Sequence, residues 1–127
     1  MNSQQLLKNI QDKIPLANHM GLQVLECSLD KVAIAADFDK NRNHKMTAFG
    51  GSVATVLTLA CWSWITNYLD EHQWENYEVS IFKCQIEYLR PITSDFVGVC
   101  EGDKSQLESF CKMLERKSKG RLHLTSF

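Results

Sequence analysis

Neither sign of charge prevails in this 127-residue sequence, where fourteen Lys and Arg stand against fifteen Asp and Glu for a net charge of -1. Broad electrostatic attraction to nucleic acid or to an anionic membrane is therefore not expected, and only a local basic patch stays open. Metal-ligand spacing is missing among the four histidines, so no metal is expected. The five cysteines, at 27, 61, 84, 100 and 111, are odd in number and contain no CxxC pair. A disulfide framework and a zinc knuckle are both disfavoured, and the thiols read as small buried hydrophobes in a reducing compartment. The first fifteen residues, MNSQQLLKNIQDKIP, lack the basic flank and apolar run of a secretory signal, which makes the cytoplasm the expected location. Internal repeats, low-complexity stretches and linkers are absent too.

What is present is enough for one domain spanning 1–127. The sequence is 44% hydrophobic and 23% charged, which excludes a mainly disordered or collagenous chain. A globule of this size buries roughly two thirds of its unfolded surface.

From Met46 to Leu69 there is no charged residue. That invites a membrane span. Against it stand the hydroxyls and amides of Thr47, Ser52, Thr55, Thr58, Ser63 and Asn67. A central helix wrapped by the rest of the chain fits better, because a helix apolar on most sides must be covered.

Around it the patterns are regular. Leu6, Leu7, Ile10 and Ile14 repeat at helical spacing over residues 3–14, with Ser3 as N-cap and Pro15 as terminator. Residues 22–29 and 32–38 read as two strands joined at Asp30-Lys31. Asp39–Lys45 is a polar loop, and the central helix runs from about Gly50 to Asp70. Phe82, Cys84, Ile86 and Tyr88 alternate with polar neighbours, predicting a long half-buried strand over 78–88. A corner at Pro91 and Ser94-Asp95 leads to a strand over 96–100. Ser105 and Glu108 fit a capping box opening a helix toward Lys117, with Gly120 as its stop. Arg121–Phe127 begins a further strand. Paired strands around one uncharged helix predict an α+β antiparallel layout.

The stretch NHKMTAFGGSVATVLTLACWSW, residues 43–64, carries the chemistry. Gly50-Gly51 stands where a polar loop becomes a buried helix. Glycine lets a ligand approach the backbone, and the first helical turn leaves N–H groups free. Together they suit a carbonyl oxygen that is gaining negative charge. The plainer alternative is that the glycines only allow helix and sheet to pack closely.

Asn43, five residues, then Phe49-Gly50-Gly51 resembles the signature of hot-dog-fold acyl-CoA thioesterases, in which an Asn is followed five residues later by His-Gly-Gly at the start of the central helix. IPLANHMGLQV (14–24) and IEYLRPI (86–92) are similar to the entry to the first strand and the end of the long strand. The nearest likeness is to a family of small bacterial thioesterase-like domains, some fused behind N-acetyltransferase domains. The resemblance implies a hot-dog fold in which an antiparallel sheet wraps a helix near residues 50–70. It also implies a homodimer, or a dimer of dimers, paired through the long strand, with active sites at the subunit interface. The family has one more strand than the sequence supplies after Arg121, so the final strand is expected to be missing.

The implied substrate is an acyl thioester of coenzyme A or of an acyl carrier protein. Coenzyme A enters only as part of the substrate, and no separate cofactor is implied. By position, Gly50 and Gly51 would offer N–H groups to the thioester carbonyl, and Asn43 would position water or that carbonyl. Thr58 stands where many relatives carry an acidic base, and its hydroxyl has no useful basicity. Phe49 replaces the histidine. His44 is the nearest group titrating near neutrality, Thr55 shares the face of Thr58, and Glu87 is an alternative base. Lys45, Arg90, Lys117, Lys119 and Arg121 are candidates for the phosphates of coenzyme A. A non-catalytic acyl-binding or assembly module is the rival reading, and a hot-dog dehydratase is a third.

Overall fold

The computed structural model describes every residue from Met1 to Phe127. Helix α1 (Ser3–Lys13) and a 3-10 turn (Pro15–His19) lead into strands β1 (Leu22–Cys27) and β2 (Val32–Ala36). A one-turn helix α2 (Phe38–Asn41) and a loop then deliver the chain to α3 (Gly50–Glu71). Strand β3 (Phe96–Cys100), a 3-10 turn (Lys104–Gln106) and α4 (Leu107–Lys117) complete the order. The three strands form one antiparallel sheet in the order β1-β2-β3.

The long helix was foreseeable, although α3 is rich in β-branched residues of modest helix propensity. Burial against the sheet is what holds it. Val56, Leu59, Ala60, Ser63, Trp64 and Asn67 form its buried face. The opposite face, through Gly51, Thr55, Thr58 and Trp62, is left half-open. Its packing is close because β3 carries glycine where the helix crosses. A methyl group at Gly98 would stand 2.8 Å from Val56 Cγ1 and 3.1 Å from the Val56 carbonyl oxygen. Gly102, at φ +74°, lies directly against the Trp64 ring. That ring is 1% exposed and donates its indole N–H to the Leu29 carbonyl at 3.1 Å. Leu6 and Ile10 of α1 are completely buried, as are Val32, Ile34 and Cys100 of the sheet.

Several local expectations need correction. The cap of α1 is Asn2, whose side chain accepts from the Gln5 N–H while Gln5 reaches back to the Asn2 N–H. The β1–β2 connection comprises residues 28–31, and the Ser28 hydroxyl accepts from the amides of Asp30 and Lys31. Ser105 and Glu108 do not form a capping box. Asp103 instead accepts from the Ser105 amide and the Gln106 side chain, because a carboxylate two residues earlier meets those donors first. Helix α4 ends with Ser118 in the left-handed region at φ 55°, ahead of Gly120.

The largest difference concerns residues 78–88, which form no strand. The alternation is real, but a strand also needs a neighbouring backbone to complete its hydrogen bonds, and none runs alongside. Phe82 is 74% exposed and Leu89 83%. Residues 121–127 likewise pair only at their end, where Val99 and Phe127 exchange both backbone bonds (2.8 and 2.9 Å) beside a Cys100–Ser126 bridge. The Ser126 hydroxyl fastens this end to the Leu57 carbonyl at 2.9 Å.

Candidate active site at the diglycine

The loop before α3 is built by its own polar groups. Asn43 Oδ1 accepts from the amides of Lys45 (2.9 Å) and Thr47 (3.2 Å), while Asn43 Nδ2 donates to Thr47 Oγ1 at 2.9 Å. The Asn43 N–H donates to the Thr47 carbonyl at 2.8 Å, and Met46 takes the left-handed corner at φ 61°. The Asn43 side chain is thus engaged in shaping the loop, an arrangement asparagine favours in turns.

Two bonds aim the chain into the helix. Ala48 N–H donates to the Ile92 carbonyl (2.8 Å) and Phe49 N–H to the Asn41 carbonyl (2.7 Å). Phe49 is the N-cap in extended backbone (φ -62°, ψ 130°), and its side chain caps nothing. The first amide of the helix to find an acceptor is that of Val53, on the Phe49 carbonyl at 3.0 Å. The N–H groups of Gly50, Gly51 and Ser52 have no acceptor within the chain. By contrast, α1 and α2 both begin with a side chain accepting from the first turn. Three free amides and the positive end of a 22-residue helix dipole therefore converge at a surface position.

Two aromatic rings flank this point. The Phe49 ring lies across Gly51, with Cε2 only 2.5 Å from where a methyl group would stand. The Tyr88 ring lies along Gly50, and its hydroxyl donates to the Gly50 carbonyl at 2.9 Å. Both rings remain more than half exposed. Tyr88 was not singled out from the sequence. Its signals were the alternation over 78–88 and its place in the IEYLRPI segment, and a contact across 38 positions cannot be read from either.

Thr55 and Thr58 follow on the half-open face. The Thr55 hydroxyl donates back to the Gly51 carbonyl at 2.8 Å, whereas that of Thr58 makes no hydrogen bond within the chain. His44 and Arg90 are exposed and unpaired, and Glu87, Lys45, Lys117 and Lys119 are exposed as well. The Arg121 guanidinium sits 4.0 Å above the centre of the Phe82 ring. The structure thus gathers Phe49, Gly50, Gly51, Thr55 and Tyr88. The cationic candidates stay spread over the surface, and no carboxylate stands on α3 before Asp70. No cluster of three or more His, Cys, Asp or Glu could hold a metal ion. No helix is long and apolar enough to cross a membrane.

Comparison with known proteins gives the family and the fold. Residues 3–127 match the model of a family described as "Putative thioesterase (yiiD_Cterm)". A Chlorobaculum tepidum protein of unknown function superposes with TM-score 0.87 at 26% identity, covering 98% of this chain and 76% of that one. A Shewanella oneidensis protein described as a "putative thioesterase" gives TM-score 0.75 at 22% identity, covering 85% and 77%. A Pseudomonas aeruginosa protein described as a "probable thioesterase" gives 0.82 at 14% identity, covering 99% and 83%. No curated protein matches the sequence. The fold is the hot-dog α+β arrangement of a long helix against an antiparallel sheet. With its match running from Ser3 to Phe127, the chain belongs to this thioesterase family.

Proposed function

We propose that the chain hydrolyses an acyl thioester whose thiol is coenzyme A or an acyl carrier protein, and that the reacting carbonyl docks at the start of α3. One observation carries this reading: the three acceptor-less amides of Gly50, Gly51 and Ser52 at an uncapped helix start. When water adds to a thioester, the carbonyl oxygen becomes an anion. When the tetrahedral adduct collapses, the carbon–sulfur bond breaks and the thiolate leaves. Fixed N–H groups aimed at that oxygen stabilise the adduct more than the substrate, which is what accelerates the step. The rings of Phe49 and Tyr88 stand beside the amides and shield one side of them, which strengthens hydrogen bonds formed there.

The other residues take supporting roles. Asn43 holds the loop that aims the chain at Gly50. Thr58, with its hydroxyl unspent, orients water or the carbonyl but does not remove a proton. Phe49 and Thr55 border the acyl group, and His44 and the Arg90 cation stand on the rim where phosphates of the carrier thiol would lie. The 78–90 segment, which exposes Ile81, Phe82 and Leu89 and has no strand paired to it within the chain, pairs with its copy in a homodimer, which completes the site.

The missing acid at Thr58 favours one alternative, a module that binds acyl groups without turning them over. A panel of short, medium, long and aromatic acyl-CoAs, plus acyl carrier thioesters, separates the two. Release of free thiol from at least one member is expected. Thermal stabilisation by acyl-CoAs without thiol release would establish the binding module, and neither effect would overturn both readings.

A further inference from the structure

Two of the five thiols border the same crossing of helix and sheet. Cys100 is completely buried on β3, and its side chain points at α3 from the same face as Gly98. Cys61 lies half-buried on α3, one turn beyond Leu57. Three contacts fix their alignment. Gly98 lies on Val56 and Gly102 on Trp64, so position 100 falls opposite the turn around Ala60 and Cys61. The Ser126 hydroxyl, bonded to the Leu57 carbonyl at 2.9 Å, belongs to the residue bridged to Cys100. Gly98 removes a side chain from the crossing, so helix and strand backbones approach closely beside this point, and a disulfide needs Cβ atoms about 4 Å apart.

The remaining thiols have no such partner. Cys27 donates to the Met1 carbonyl at 3.2 Å, Cys111 sits 3.4 Å from the Tyr68 hydroxyl, and Cys84 is exposed.

We propose that Cys61 and Cys100 are a peroxide-sensitive dithiol that closes into a disulfide clamping α3 to β3. The Cys61 thiolate attacks a hydroperoxide, the O–O bond breaks, and water or an alcohol leaves as Cys61 becomes a sulfenic acid. The Cys100 sulfur then attacks that sulfur while its proton passes to the departing hydroxyl, so the S–O bond breaks, water leaves and the S–S bond forms. Two electrons pass from the pair to the peroxide, so the oxidant is fully accounted for. Cys61 attacks first because it is the one within reach of a small molecule. The neighbouring Cys100 thiol, with help from Ser126, also draws the Cys61 thiol below its ordinary range, while burial opposes this. Cys100 is displaced the other way, chiefly by sharing its proton with Cys61 and by burial.

The test is thiol counting and mapping on the whole chain after exposure to hydrogen peroxide. Trypsin alone leaves Cys84 and Cys100 in one peptide, between Lys83 and Lys104, because Arg90 precedes proline. A second cut after Glu87 separates them. The expected result is loss of two of the five thiols, recovered with dithiothreitol, and one linked peptide joining Cys61 to Cys100. In Cys100→Ser, Cys61 halts as a sulfenic acid that dimedone traps. If Cys61 and Cys100 both remain alkylatable when exposed Cys84 has been oxidised, or if Cys61 links to any other cysteine, the proposal falls. The wild-type map decides this even if Cys100→Ser does not fold.

Discussion

Replacing Gly50 with proline removes one amide donor from the start of α3 and changes little else. Gly50 is the first helical residue, the position proline tolerates best because the N–H there has no partner to lose. Phe49, at φ -62° and ψ 130°, already holds the backbone that a residue before proline adopts. A side chain at 50 stands 3.5 Å from Tyr88 Cε1, an ordinary contact. Stiffening the unfolded chain stabilises the variant by about 0.4–1 kcal/mol, so Tm should hold or rise by a few degrees. If the Gly50 N–H polarises the thioester carbonyl, kcat should nonetheless fall by about 10²–10³-fold, equivalent to roughly 2.7–4 kcal/mol of transition-state stabilisation, with KM little changed. Gly50→Ala keeps the N–H and should retain turnover. The assay is continuous thiol release at several substrate concentrations, with circular dichroism confirming the fold. Equal turnover by Gly50→Pro and wild type would refute the assignment, as would an equal loss in Gly50→Ala.

Other outcomes follow from the same geometry. Asn43→Ala should lose about 1–2 kcal/mol in urea unfolding, whereas Asn43→Asp, which still accepts from Lys45 and Thr47, should lose less than half of that. Gly98→Ala forces a methyl group onto the Val56 carbonyl and should cost about 1–3 kcal/mol, seen as a lower urea midpoint. Burial, and then the Cys111 thiol, push the Tyr68 hydroxyl up to about 12. The folded pKa exceeds the unfolded one, so the stability Tyr68 contributes is fully present below the unfolded value of about 10 and is lost as pH rises toward about 12. Ultraviolet titration should show one of the three tyrosines ionising late, and Tyr68→Phe should remove that component.

The sequence made some of this legible and concealed the rest for physical reasons. An uncharged run from Met46 to Leu69 has to be covered, so α3 could be placed to within a residue of its observed ends. The free amides at Gly50 and Gly51 could be anticipated because a helix start and glycine are both local features. Caps were misplaced at Ser3 and Ser105 because Asn2 and Asp103 compete for the same donors within two residues. Residues 78–88 misled because alternation reports which face a side chain occupies, not whether a second backbone lies alongside. The Tyr88–Gly50 bond joins distant parts of the chain, and a single sequence carries no periodic trace of it.

The sheet register slips between Val24 and Glu26 on β1, leaving Leu25 56% exposed at the bulge. An extra residue there breaks the even spacing of N–H and C=O groups along the outer margin of β1 and increases its twist. Helix α1 packs against the same strand. That margin is consequently a poor template for further chains, which protects it from edge-to-edge aggregation. Growth of the sheet is thereby biased toward the other margin, beyond β3, where Phe127 pairs with Val99.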